Sequence, residues 1–169
     1  MLDPDWHFLF LRALDVEMMF RVLLAFILGG LIGFEREIIQ RPAGLRTHML
    51  VAAGSAAFTL AGVHGFVGEG TVRDPGRVAA QIVAGVGFLG AGTIWRTTST
   101  VRGLTTAASI WVVAAVGLLA GSGMYVLAVF TTLCSFVALR WGRPPSRRRR
   151  VKAGEPSITP DEEEENIVD

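Results

Sequence analysis

Three polar side chains at the start of one apolar segment are the strongest candidates for chemistry in this sequence. Asp74, Arg77 and Gln81 are spaced i, i+3 and i+7, which places them on one face of a helix. A carboxylate, a guanidinium and an amide on that face could bind a polar solute, and Asp74 could also pair with Arg77. The simpler alternative is that Asp74 only caps the helix, with Pro75 at the first helical position.

A second set of polar candidates lies at the ends of the other apolar segments. Its members are Glu35, Arg36, Arg46, Arg102 and Thr105. A charge at mid-membrane costs roughly 2.5–3.5 kcal/mol, so a charge drawn inward should pair, and Glu35 with Arg46 or Arg102 is the expected cross-helix pair. The alternative is that the arginines only orient the chain in a membrane and that Thr105 only caps a helix or bonds across it.

Glycines form a third pattern, and one run of them matches a nucleotide-binding motif by its letters. Gly85, Gly87 and Gly90 fit G-x-G-x-x-G, but a dinucleotide site also needs a preceding strand and an acidic residue about 20 positions later. The next acidic residue is Glu155, so the context argues against a nucleotide. The run favours a helix that its neighbours approach closely, or one that is locally unwound around a solute.

Two further patterns of small residues predict close packing between helices. Residues 29–33 contain G-x-x-x-G, and alanines recur at positions 53, 57 and 61. The full set of candidates for helix packing or for lining a pore is Gly29, Gly33, Gly85, Gly87, Gly90, Gly92 and Trp111.

The sequence offers little for catalysis or for metal binding. Its three histidines form no pair at i, i+4, and neither Ser55 nor Ser109 has a base near it in the sequence. Carboxylates close to the apolar segments are few, although Mg²⁺ prefers oxygen ligands. We therefore expect no enzymatic activity, no cofactor and no bound metal.

The elements that must position these residues are predicted to be membrane helices. The chain has 169 residues, of which 51% are hydrophobic and 18% are charged, and the charges concentrate near the two ends and in short clusters. Several uncharged runs approach or exceed the roughly 18–20 residues that cross a hydrocarbon core. The net charge of +1 gives no indication of nucleic-acid binding.

The predicted fold is an all-α membrane protein with five transmembrane helices in a small bundle, over residues 18–140. Turn signals at residues 42–44 and 121–123 separate the helices, and residues 97–103 form a polar loop. The expected spans are 18–34, 45–67, 74–95, 104–120 and 124–139.

The two ends of the chain are predicted to lie outside the bundle. Residues 1–17 form either a helix on the membrane surface or the first turns of the first span. Residues 141–169 are basic and then acidic, and we expect them to be a disordered tail. Most arginines and lysines lie in the tail and in the connections after the first and third spans, so the N-terminus is predicted outside and the C-terminus in the cytoplasm.

Four stretches of the sequence resemble the MgtC/SapB family of bacterial inner-membrane proteins. They are G-F-E-R-E at 33–37, R-P-A-G-L-R-T at 41–47, D-P-G-R-V-A-A-Q-I-V-A-G-V-G-F-L-G-A-G at 74–92 and V-R-G-L-T-T-A-A at 101–108, followed by Trp111. They occur in family order between about residues 21 and 140, and the third stretch is long and specific.

The resemblance implies a five-span domain that is linked to growth under magnesium limitation and, in pathogens, to survival inside macrophages. It implies regulation of other membrane proteins, the ATP synthase among them, rather than transport of magnesium. It adds Thr47 to the polar candidates. Many relatives carry a cytoplasmic C-terminal domain of ACT-like fold, whereas this sequence has the charged tail, so we expect a short form.

Two functions stay open at this point. The first is a non-enzymatic, multi-pass inner-membrane protein that supports adaptation to low magnesium by modulating other membrane proteins. Its expected partners are membrane lipids and proteins such as the ATP synthase or a magnesium transporter, with a homo-oligomer as a further option. The alternative is a transporter or channel for Mg²⁺ or another small solute, with Asp74, Arg77 and Gln81 at its outer mouth.

Overall fold

The computed structural model describes residues 4–65, 74–98 and 100–141, with side chains from residue 13 onward. The elements in this part of the chain are α1 (Pro4–Ile38), α2 (Leu45–Leu60), α3 (Pro75–Ala91), β1 (Trp95–Arg96), β2 (Val101–Arg102), α4 (Leu104–Gly121) and α5 (Tyr125–Trp141). A π-helical segment, Ala61–Gly65, continues α2. The predicted tail lies outside the described residues, apart from Trp141 at the end of α5.

The predicted helical character is confirmed, while the count of five membrane spans stays a prediction. By length and composition, Ala13–Ile38 and Leu104–Gly121 could each cross a membrane, and Tyr125–Trp141 is a shorter apolar helix. Helix α1 continues through residue 17 without a break. The predicted border between the N-terminal extension and the first span therefore lies inside one helix. The predicted orientation of the two ends stays a prediction as well.

Helices α1, α2 and α4 form the tightly packed part of the molecule. Their shared core contains Ile32 from α1, Ala52 and Ala56 from α2, and Val113 and Val116 from α4. The α2 residues in this core are alanines, so the backbone of α2 approaches both neighbouring helices closely. Small residues commonly allow such contacts between helices in lipid, where burial of apolar surface adds little to the stability of helix association. α5 completes this core through the buried Ala128.

The buried face of α2 differs from the predicted one. The alanine pattern at 53, 57 and 61 suggested the contact face, but Ala57 and Ala61 are exposed, while Ala52 and Ala56 are buried. The prediction was wrong because small and apolar residues occur all around α2, so a four-residue repeat fits more than one face.

Helix α3 packs mainly against α4, with a smaller contact to α2. Ile82 and Val86 of α3 meet Ile110 and Ala114 of α4 in a second, smaller core cluster. The predicted start of α3 is confirmed, because Asp74 is its N-cap and Pro75 its first residue. The helix is continuous to Ala91, so it does not contain the unwound turn that the glycine run had suggested as an alternative.

A short β-hairpin joins α3 to α4, where a polar loop was expected. Trp95 pairs with Arg102 and Arg96 with Val101 in antiparallel register, which corrects the purely α-helical prediction. Gly103 then has a φ of 91°, a left-handed conformation that glycine adopts without strain, and α4 begins at the next residue. The second predicted break, at 121–123, is confirmed, and Gly123 has a φ of 79° there.

Candidate functional site

A groove of about 1030 Å³ between α2 and α3 contains the first set of predicted polar residues. Asp74, Arg77 and Gln81 all line it, together with Gly85 one turn further along α3. The spacing in the sequence therefore predicted their common face correctly. The opposite wall belongs to α2 and its π-helical continuation, and includes Gly54, which sequence reasoning did not single out.

Asp74 has a local structural role at the start of α3. Its Oδ1 accepts a hydrogen bond from the backbone amide of Arg77 at 3.3 Å, as a helix N-cap does. This bond to the Arg77 backbone is the capping role that was the simpler prediction for Asp74, and it is not the predicted pairing of the two side chains. The side chains of Asp74, Arg77 and Gln81 are exposed, so their polar groups remain accessible from the groove.

Glu35 and Arg36 form a buried ion pair near the end of α1. Each side chain is only 2% exposed, and Arg36 Nη1 lies 3.5 Å from Glu35 Oε2. Removing one member of such a pair is costly, because the other charge stays buried. Sequence reasoning named both residues, but it did not consider that they pair with each other.

Next to this pair, a buried histidine links α2 to α4. His48 Nδ1 lies 2.8 Å from the carbonyl oxygen of Gly44, and its Nε2 lies 3.0 Å from Ser109 Oγ. A carbonyl can only accept, so Nδ1 carries a proton. In the neutral ring Nε2 can only accept, so the single proton of the Ser109 hydroxyl goes either to Nε2 or to the carbonyl of Thr106, which lies 2.8 Å away.

The Ser109–His48 pair has the spacing of a nucleophile and its base, but not the access that such a pair needs. Both side chains are buried, and neither lines the α2–α3 groove. The pair therefore acts as a hydrogen-bonded link inside the core. Sequence reasoning missed it because the two residues are 61 positions apart.

The remaining polar candidates lie at the surface, whereas Glu35 is buried. Arg46, Thr47, Arg102 and Thr105 are exposed, with Arg102 in the hairpin and Thr105 in the first turn of α4. Gly103, rather than a threonine, is the N-cap of α4. Trp111 is 52% exposed.

The candidate glycines fall into two groups with opposite surroundings. A Cβ on Gly29 would lie 2.7 Å from Ala52 Cβ, and one on Gly33 would lie 2.8 Å from Leu45 Cα, so a side chain at either position would force α2 to move. A Cβ on Gly85 or Gly87 would meet nothing within 4 Å. Gly90 and Gly92 belong to neither group.

Gly90 and Gly92 lie in different surroundings, one in a helix contact and one at a helix end. Gly90 packs on Ala107 of α4, with an added Cβ 3.6 Å from the alanine Cβ. Gly92 is the C-cap of α3 and therefore lies just beyond the helix.

Arg21 is a structural residue that the candidate sets left out. Its Nη1 donates to the carbonyl of Gly121 at 3.0 Å and its Nε to the Tyr125 hydroxyl at 3.2 Å, while its third nitrogen pairs with Glu17. It therefore ties α1 to the turn between α4 and α5. An arginine inside an apolar segment was the available signal, since such charges usually have a partner.

Within the described residues, no three side chains of His, Cys, Asp or Glu come together in a way that could hold a metal ion. Glu35 and Asp74 occupy separate regions, the first in the buried pair and the second at the groove. These two carboxylates, which sequence reasoning considered for magnesium, are therefore not neighbours, and Glu69, a third, lies outside the described residues.

Comparison with known proteins identifies clear relatives. The sequence model of the MgtC family matches residues 22–148. YhiD of Escherichia coli K12, whose name proposes that it is a magnesium transporter, is 44% identical over 130 residues, which are 75% of this chain and 60% of YhiD.

Two proteins called MgtC are similar to this chain as well. MgtC of Salmonella typhimurium LT2 is 46% identical over 132 residues, covering 76% of this chain and 55% of that protein. MgtC of Brucella abortus is 53% identical over 109 residues, covering 64% and 44%. The match thus spans between 44% and 60% of the length of these relatives, and no solved structure matches the chain.

Proposed function

The chain belongs to the MgtC family of magnesium-related membrane proteins, and we propose that it supports adaptation to low magnesium by modulating other membrane proteins. It does so as a multi-pass protein of the bacterial inner membrane, without catalysing a reaction. Its partner is another inner-membrane protein, such as the ATP synthase or a magnesium transporter. The family match and the exposed side of α3 support this proposal together.

Helix α3 has two adjoining faces that overlap and a third that is separate from both. One packs on α4 through Ile82, Val86 and Gly90, and the adjoining one lines the groove, which Ile82 and Val86 also border. The third face is formed by small residues that are all exposed, and we call it the open face. Its members are Ala80, Ala84, Gly87 and Ala91.

The open face is the observation on which the proposal depends. Small residues spaced by four and three positions let a second transmembrane helix approach closely, and the described part of this chain leaves them exposed. A Cβ on Gly87 would meet nothing within 4 Å, and the neighbouring Phe88 is 82% exposed. A helix of a partner protein could pack against this face with Phe88 at its edge.

The polar residues of the molecule support modulation more than transport. In the groove, the charged groups lie at the Asp74 end, and the other end is formed by apolar residues such as Leu50 and Leu89. The Glu35–Arg36 pair lies in a different region, at the end of α1. A pathway for an ion would need polar groups along its length, because uncompensated charge is costly at membrane depth.

Transport of Mg²⁺ or another small solute is the second candidate function. The name of YhiD favours it, and so does the size of the groove, which is sufficient for a small ligand. In that case Asp74 would be the residue that meets the solute first.

Flux measurements on reconstituted protein separate the two functions. We expect proteoliposomes that contain the full chain to take up Mg²⁺ no faster than protein-free liposomes, with an encapsulated magnesium-sensitive dye as the readout. Asp74→Ala should behave in the same way. If the chain conducts Mg²⁺ and Asp74→Ala loses the flux while retaining its helical content, transport replaces modulation.

A further inference from the structure

The α2–α3 groove changes in character along its length. Its polar end contains Asp74, Arg77 and Gln81, while its apolar end is formed by Leu50, Val86 and Leu89. A molecule that fits this surface must therefore be amphipathic, with a charged end and an apolar end. The three polar side chains are exposed, so such a molecule can reach the polar end of the groove.

Two glycines keep the middle of the groove free. Gly54 on α2 and Gly85 on α3 both line it, and a Cβ on either one would meet nothing within 4 Å. Neither glycine is needed for close contact between these helices. Their missing side chains instead provide space for a chain of methylene groups between α2 and α3.

The polar groups follow a defined order along α3. The carboxylate of Asp74 comes first, the guanidinium of Arg77 follows three residues later, and the amide of Gln81 follows after four more. With a rise of about 1.5 Å per residue, these steps are roughly 4.5 Å and 6 Å along the helix axis. Apolar residues of the groove follow from Ile82 to Leu89.

We propose that this groove binds one molecule of phosphatidylethanolamine. Its ammonium group meets Asp74, its phosphate meets Arg77, its glycerol ester region meets Gln81, and an acyl chain runs past Gly85 toward Leu89. The order of chemical groups along the lipid matches the order of side chains along α3. The groove lies on another face of α3 than the open face, so the lipid site does not depend on the proposed function.

Charge complementarity selects this lipid over the other common classes. A guanidinium binds phosphate through charge-assisted hydrogen bonds, and the positive end of the α3 dipole adds to this attraction. A carboxylate accepts hydrogen bonds from a primary ammonium, whereas the trimethylammonium of phosphatidylcholine has no N–H to donate. Phosphatidylglycerol has no cation to offer Asp74.

Lipid retention by the purified full-length chain tests the site. The protein is exchanged into micelles with equal amounts of phosphatidylethanolamine, phosphatidylcholine and phosphatidylglycerol that have identical acyl chains, and bound lipid is counted by native mass spectrometry. We expect one phosphatidylethanolamine per chain, with several-fold lower occupancy by the other two. Arg77→Gln should weaken binding at least about tenfold, as expected for loss of a hydrogen bond to a charged group.

Asp74→Asn isolates the contribution of the ammonium group. Asparagine is as good an N-cap as aspartate, so α3 still begins at the same residue. The amide oxygen still accepts a hydrogen bond but has no charge, so the preference of the variant for phosphatidylethanolamine over phosphatidylcholine should be smaller than that of the wild type. If Asp74→Asn keeps the full preference for phosphatidylethanolamine, the assignment of the ammonium group is wrong.

Two leucine variants test the path of the acyl chain. Gly85→Leu fills the groove, whereas Gly87→Leu adds the same side chain on the open face of the same helix. The first should lose the bound lipid and the second should retain it. Equal occupancy by all three lipids in the wild type, or equal behaviour of the two leucine variants, would overturn the proposal.

Discussion

Glycines of the α1–α2–α4 core and glycines of α3 have opposite roles. In the core, a Cβ added to Gly117 would lie 2.8 Å from Ser55 Cβ, and one on Gly29 would lie 2.7 Å from Ala52 Cβ. On α3, Gly85 and Gly87 have no such neighbour within 4 Å. The same residue type therefore closes one interface and leaves another surface open, and each role predicts a different response to substitution.

The largest expected loss of stability comes from adding one methyl group to the core. Gly117→Ala should lower the free energy of unfolding by about 1–3 kcal/mol, because the backbone of α2 must move to admit the methyl group. Denaturation in detergent, followed by circular dichroism, measures this loss. A variant as stable as the wild type would show that α2 and α4 do not approach as closely as described.

Replacement of the buried His48 should cause the next largest loss of stability. His48→Ala removes both hydrogen bonds of the ring and leaves the Ser109 hydroxyl without that partner, which should cost about 1–2 kcal/mol in the same assay. His64→Ala is the control, since His64 is exposed, and it should be neutral. Equal stability of the two variants would contradict the link between α2 and α4.

The smallest expected change in stability is for a substitution on the open face, and it is a gain and not a loss. Gly87→Ala should leave the protein as stable as the wild type or raise the free energy of unfolding by up to about 1 kcal/mol, because alanine is the better helix former and its methyl group meets no neighbour. A loss comparable to that of Gly117→Ala would mean that the open face is already covered, for example by a second copy of the chain.

The sequence predicted those features that depend on residues close together in the chain. Asp74 and Pro75 gave the start of α3, the spacing of Asp74, Arg77 and Gln81 gave their common face, and residues 121–123 gave a turn. Each of these depends on local backbone geometry, which a short stretch of sequence determines.

Features that depend on distant partners could not be predicted in this way. His48 and Ser109 are 61 positions apart, and Arg21 is 100 positions from Gly121. The glycines of α3 and the alanines of α2 were ambiguous for another reason. Where a helix is apolar or small on every side, no pattern in its sequence indicates which face another helix covers.

The central claim is that the chain acts through the open face of α3. A bacterium that lacks its own MgtC-family protein and grows poorly at low magnesium provides the test, with growth rate as the readout after the chain is introduced. Wild type and Gly87→Ala should restore growth, while Gly87→Leu, present in the membrane at the same level, should not, because its side chain blocks the approach of a partner helix. Full restoration of growth by Gly87→Leu would contradict the claim.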